Sequence, residues 1–440
     1  MTRKKQSLIN FTNLFLIFLI GASLILASCS DDDADIVPVI QTQKILEDGD
    51  ELRSESTNGL TVTVPEDATV TLVGQVKFHS GTTLVIEPGA TIKGNPNLTS
   101  YLIIDRGAKI EAIGTAEKPI TFTSGKDEGE RGQEDWGGIV INGYADINSG
   151  DSAYGEGDSG LYGGNNDEDN SGTMQYVRIY FAGKVLTGTD ELNGLCLQGV
   201  GSGTTIDHVQ MHNCKDDGIE MFGGNVNLKY IVSTGNGDDQ IDCTLGWRGK
   251  VQFAACAPLP GGDSNFEHDS NEVDHSATPQ TNVTYYNVTC VRGDGDDVRG
   301  ARMRRGTVAA FHNSYFAGSQ DDRAIYSEDT ESEVTVGNCL IEQNGTVGYT
   351  EDGGTVTASD LTVDNAPATP YIDLSNFATF AALESAGASA FVPQSGATNA
   401  NVAAAIPPND GFFDTSATFL GAVEDSSNNW ISGWTSFPAD

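Results

Sequence analysis

Basic residues are scarce in this 440-residue chain: 24 Lys and Arg stand against 62 Asp and Glu, a formal net charge of −38. So acidic a surface repels phosphate backbones and anionic lipid heads, which excludes nucleic acid as a partner and makes divalent cations the natural counterions. Helix-period patterns are scarce before about Asp373, and charged residues are only 20% of the chain. Long apolar runs are limited to one, near the start, with no second run to support it. What fills the rest is glycine, 52 residues of it, and short β-branched stretches bounded by Gly, Asn and Asp, an all-β pattern.

The single apolar run spans Leu14 to Leu26. It follows a basic start, Thr2-Arg3-Lys4-Lys5, and ends in Leu26-Ala27-Ser28-Cys29 and then Ser30-Asp31-Asp32-Asp33. Basic, apolar and small residues in that order make a secretory signal, too short to cross a bilayer. The cysteine after Leu-Ala-Ser resembles the bacterial lipobox. The acidic residues behind it resemble the signal that sends Bacteroidetes lipoproteins to the outer leaflet. The resemblance implies a signal peptide over residues 1–28, a lipid such as palmitate on Cys29, and a place on the outside of the outer membrane. A plain signal peptide with an incidental cysteine is the alternative. Cleavage removes Arg3, Lys4 and Lys5 and no acid, so 412 residues with a charge of −41 remain.

Beyond Cys29 there are six cysteines, Cys196, Cys214, Cys243, Cys256, Cys290 and Cys339. An even number in an exported chain permits disulfides, and small buried side chains stacked in a β core are an equal alternative.

Residues 29–58 read as an acidic tether. From Leu60 a strand pattern begins: Thr61-Val62-Thr63-Val64, Val70-Thr71-Leu72-Val73, Thr83-Leu84-Val85-Ile86, Leu102-Ile103-Ile104 and Trp136 to Ile141. Glu87-Pro88-Gly89-Ala90 and Asp105-Arg106-Gly107-Ala108 are matching turns. Short strands with regular turns indicate a coil of stacked rungs. These segments resemble the right-handed parallel β-helix, or pectin-lyase-like, family, in particular surface lipoproteins of the Bacteroidetes with this fold. The resemblance implies an all-β solenoid over 59–365. Residues 148–173, rich in Gly, Asp, Asn and Ser, interrupt it as an inserted loop. Residues 366–440 contain a short helical pattern near Asn376 and an aromatic end with Trp430 and Trp434, and are expected to fold over the last rung as a cap, with an aromatic platform for a ligand the alternative.

The clearest repeat is in the middle. Residues 206–220 align without gaps to 228–242, and a third copy ends at Glu267, offset by 25. Segments starting at Val283 and Val308 end in Asp296-Asp297 and Asp321-Asp322. Stacking in register puts an Asp at one corner of five rungs: Asp216, Asp238, Asp263, Asp296 and Asp321. Asp217 and Asp239 stand beside the first two, and Glu220, Asp242 and Glu267 follow and should face outward. Like charges about 5 Å apart repel by roughly 1 kcal/mol in water and by more near protein. Three remedies exist: Ca²⁺, raised pKa values, or arginines from the cluster Arg292, Arg299, Arg302, Arg304 and Arg305. Clustered carboxylates suit Ca²⁺, with Asp216, Asp217, Glu220, Asp238, Asp239, Asp242, Asp263 and Glu267 as candidate ligands. Asp as a plain turn residue explains one acid per rung but not two or three.

Polygalacturonase-type hydrolases share this fold, and Asp217-Gly218-Ile219-Glu220 resembles part of their motif. The resemblance offers Asp217, Asp238 and Asp239 as catalytic acids of a hydrolase. Lys215-Asp216 stands where Asn-Thr belongs, Gly246-Trp247-Arg248-Gly249 replaces Gly-His-Gly, and Arg-Ile-Lys is missing. A lyase would need a basic residue beside Ca²⁺, for which Arg248 or Lys250 is available. Trp136 and Trp247 are candidates for stacking on sugars, with covering a rung corner an equal alternative, and Trp247 with Arg248 for ligand binding. His208 and His212 read as polar surface residues. Two functions follow: a calcium-bearing rod that binds an extracellular polymer such as polysaccharide, or a surface polysaccharide-degrading hydrolase or lyase. The missing motifs favour the first.

Overall fold

The computed structural model describes residues 43–55, 59–187, 190–291, 299–317, 324–342, 347–351 and 353–440. The lipobox, Cys29, Arg292 and the two later Asp pairs lie outside them. Parallel strands wind into a right-handed β-helix with three faces. One face is the sheet of ten strands running from Gln75–Phe78 to Val347–Glu351, and the other two are joined in the sheet of nineteen. Alternation drives this. In Thr69–Leu72 and Thr83–Ile86 the threonines and Val85 face outward, and Val70, Leu72, Leu84 and Ile86 are buried. Stacking in register turns each inward position into a column, one of which runs from Val64 through Ile86, Met174, Leu228 and Tyr285 to Val336, all buried. Each such side chain contributes about 2 kcal/mol relative to leaving it in water.

The coil starts earlier than the composition suggests. Gln43–Ile45 already pairs in parallel with Thr61–Thr63, and Leu46 and Leu52 are buried, so part of the expected tether is the first rung. The offsets of 22 and 25 hold: Ile219 pairs with Ile241 and Ile241 with Phe266. One later offset slips by a residue, since Val283 pairs with Ala309 rather than Val308. The six described cysteines are all buried and free, even Cys256 and Cys290, which are neighbours in register.

One corner is made by a residue in the left-handed region on eight successive rungs: Tyr176, His208, Tyr230, Phe253, Asn287, Asn313, Asn338 and Asp360, with φ between 52° and 63°. That conformation bends a strand from one face into the next and is costly for a side chain as bulky as these aromatics. Stacking offsets the cost. The rings of Tyr176 and His208 lie 4.3 Å apart, His208 and Tyr230 4.3 Å, and Tyr230 and Phe253 4.8 Å. The asparagines below them tolerate this conformation readily.

The C-terminal segment covers this flank instead of closing over the last rung. Asn338 donates to the Ala403 carbonyl (3.0 Å), Asn287 to Phe419 (2.7 Å) and Gln210 to Ser436 (2.6 Å), so the segment runs back along the coil. Trp434 packs edge-on against Tyr176 and His208. Its one α-helix, Phe380–Ala386, is capped by Thr379, whose hydroxyl accepts from the Ala382 N–H at 3.0 Å. Among the described residues no helix is long and apolar enough to cross a membrane. The insertion forms a hairpin, Ala153–Gly155 with Gly160–Tyr162, laid on the outside of the ten-stranded face, and a second hairpin joins Lys184–Thr187 to Asp190–Leu192.

Candidate functional site

The outward positions of the ten-stranded face also form columns. One reads Ile103, Val140, Cys196, Glu220, Asp242, Glu267 and Arg302. It changes from apolar to acidic to basic along the rod, and Glu220, Asp242 and Glu267 face outward as their spacing predicts.

The paired aspartates divide by role. Asp217 and Asp239 are buried in the turns. Asp217 Oδ1 accepts the Asp239 backbone N–H at 2.9 Å, and Asp239 Oδ1 accepts that of Ser264 at 2.7 Å. Asn193 does the same for Asp217 one rung earlier, at 3.3 Å. These side chains tie each turn to the next. Asp216, Asp238 and Asp263 stand beside them on the outer side, Asp238 exposed.

The carboxylates converge. Asp216, Asp217 and Asp238 bring oxygens within 4.8 Å of one another, as do Asp217, Glu220 and Asp242, and Asp238, Asp239 and Asp263. Seven of the eight candidate ligands thus fall into overlapping groups. Glu267 does not, because Arg302 binds it at 2.7 Å and Arg304 pairs with it as well. Arg304 and Arg305 hold Asp269, and Arg299 lies 3.5 Å from Asp263. None of the described basic residues makes an ion pair with Asp216, Asp217, Glu220, Asp238, Asp239 or Asp242.

Burial is the first cause of the electrostatics, and neighbouring acids add to it. Asp216 is pushed up to about 8 by burial, with Glu191 and Asp238 next, and Asp238, the more exposed of the two, to about 6 by partial burial of its carboxylate, with Asp263 and Glu267 next. Burial holds Asp217, Asp239, Glu220 and Asp242 well above the usual carboxylate range. Glu156 from the insertion is raised for the same reason, and Glu191 from the second hairpin acts on it and on Asp216. These two acids were missed in the sequence, since nothing local places either hairpin against the repeat.

Several expectations are corrected. Trp247 is fully buried, with its indole N–H donating to the Val226 carbonyl at 3.1 Å, so it is a core residue and cannot touch a ligand. Trp136 is equally buried and donates to Tyr180. Arg248 reaches Asp167 through two hydrogen bonds of 3.2 and 3.0 Å, which commits it to the insertion. His212 is not a surface residue. It is buried between Thr234 and Pro438, and burial lowers its pKa to about 4. The left-handed turn at His208 breaks alternation, which is why strand counting misplaces both histidines.

Residues 55–435 match the pectate-lyase-like β-helix domain. The chain belongs to that family. Among solved structures, pectate lyase Pel9A is 14% identical over 88% of this chain and 98% of its own, with a TM-score of 0.42. The A-module of the Azotobacter vinelandii mannuronan C-5 epimerase AlgE4 is 11% identical over 69% and 88%, with a TM-score of 0.27. No curated protein matches the chain. As a pectate-lyase-like β-helix, the chain carries its acids on a fold compatible with polysaccharide binding or processing.

Proposed function

We propose that this protein is a cell-surface lipoprotein, held at the outer membrane by a lipid on Cys29, whose β-helix binds an extracellular polysaccharide through calcium at the acidic column. One observation carries the reading. Overlapping carboxylate groups occupy consecutive rungs, and among the described residues no cationic side chain pairs with six of their members. Anionic oxygen ligands in that density fit Ca²⁺, and Asp216, Asp238, Asp263, Glu220 and Asp242 are the ones with solvent access to hold it. A bound dication would offset the repulsion within the column and offer its remaining coordination positions to a polymer.

The second reading, a surface polysaccharide hydrolase or lyase, is favoured by Asp238 alone. It is exposed, and a pKa near 6 lets it hold or release a proton close to neutrality. Its candidate partners Asp217 and Asp239 are occupied in turn hydrogen bonds, and Arg248 is engaged elsewhere.

The test is a polysaccharide panel with the purified protein in calcium or EGTA, with reducing-end and unsaturated-product assays. Calcium-dependent retention without products is expected. Oligosaccharide release that disappears in Asp238→Asn would establish the enzyme instead. Membrane fractionation of Cys29→Ala tests the anchor, and the variant should leave the membrane fraction.

A further inference from the structure

We propose that a second site, at the N-terminal end of the same face, binds an oxyanion: the carboxylate, sulfate ester or phosphate ester group of a ligand. It is a hollow of about 380 Å³ lined by Lys77, His79, Ser80, Asp105, Arg106 and Tyr144. In a chain with 62 acids to 24 bases it is a local exception, with two fixed cations and a histidine around one carboxylate.

The single carboxylate is already engaged. Asp105 Oδ2 lies 2.9 Å from His79 Nδ1, and its Oδ1 is 3.9 Å from Lys77 Nζ. Among the described residues Lys77 has no closer acid, and it also donates to the Asp158 carbonyl at 3.4 Å. Most of its hydrogen-bonding capacity is therefore open to a ligand. Arg106 lines the hollow, donates to the Gly163 carbonyl at 2.7 Å and lies over the Tyr144 ring, 4.9 Å from its centre. Two hydroxyls converge beside it. A Cβ added to Gly107 would meet Ser80 Oγ at 2.6 Å and Tyr144 Oη at 3.3 Å. The roof is the Gly160 backbone of the insertion hairpin, where a Cβ would come within 2.9 Å of Asp105 Oδ1.

An ammonium, a guanidinium and hydroxyl donors around a small polar hollow make charge-assisted hydrogen bonds to an oxyanion and offer little to a cation. The site does not depend on the acidic column, which begins three strands further along the sheet, about 14 Å at the ordinary strand spacing.

Calorimetric titration of the full chain with sulfate, phosphate and glucuronate at constant ionic strength, against chloride, tests the site. Saturable binding of at least one is expected, and the preferred ion identifies whether an ester or a sugar carboxylate is the natural group. Lys77→Gln should weaken it about tenfold or more, the loss of one charge-assisted bond. His79→Gln should weaken it less, and Asp238→Asn should leave it unchanged. Binding no stronger than that of chloride for all three ions would overturn the proposal. So would binding that survives both Lys77→Gln and His79→Gln in folded protein.

Discussion

The same rungs carry two columns of opposite character. At the left-handed corner, Tyr176, His208, Tyr230 and Phe253 stack ring on ring. At the other corner, Asp216, Asp238 and Asp263 stack charge on charge. Registered repetition multiplies whatever a position holds. Each aromatic contact adds about 1 kcal/mol of attraction, and each carboxylate contact about as much repulsion even in water. The aromatic column is complete within the chain, because residues 403–440 cover it and the asparagines below donate into that cover. Among the described residues the acidic column meets arginines at its far end, where they pair with Asp263, Glu267 and Asp269. The unpaired stretch of the acidic column is the place at which our proposal puts calcium.

The largest effect should come from uncovering the aromatic corner. A chain truncated before Ala403 loses Trp430, Trp434 and the hydrogen bonds to Gln210, Asn287 and Asn338. It is expected to lose cooperative thermal unfolding, and a truncated protein melting within a few degrees of the full chain would break the comparison. Next, Tyr230→Ala should cost about 3 kcal/mol in denaturant unfolding, since it removes a ring stacked on both sides. Tyr230→Gly should cost less than Tyr230→Ala, because glycine adopts φ +58° freely. The reverse order would mean the corner is not set by backbone strain.

At the acidic corner, Arg302→Met should cost about 2 kcal/mol, because it strips partners from Glu267 and Glu328. The smallest effect is on pH. Asp216 and Asp238 have raised pKa values in the folded state, so their contribution is full at low pH and is lost as pH rises through about 6 and about 8. His212 and His268, lowered to about 4, act oppositely, and their contribution is lost below the ordinary histidine range. Between pH 6.5 and 8 the carboxylates act alone, and the melting temperature in EGTA should fall across that window.

The coil was legible because the offset of 22 between Ile219 and Ile241 and of 25 to Phe266 is the rung itself. Outward placement of Glu220, Asp242 and Glu267 followed from alternation. The split between Asp217 and Asp216 did not, because the turn at Gly218 suspends alternation and only the next rung's N–H shows which acid points in. Trp247 was open to sugar stacking or to covering a rung corner, because neither alternation nor the repeat fixes the direction of a ring at a turn, and the chain turns it into the core. Glu156 and Glu191 reach the column from insertions, and no local pattern reports a contact made across the coil.

The most direct measurement is calorimetric melting at pH 8 of the parent chain and of the Asp216→Asn, Asp238→Asn double variant, each in EGTA and in calcium. Calcium should raise the melting temperature of the parent, since binding to the folded state alone stabilises it. The double variant should melt above the parent in EGTA and gain less from calcium than the parent does. A parent indifferent to calcium, or a variant that responds as the parent does, would contradict a cation-completed acidic column.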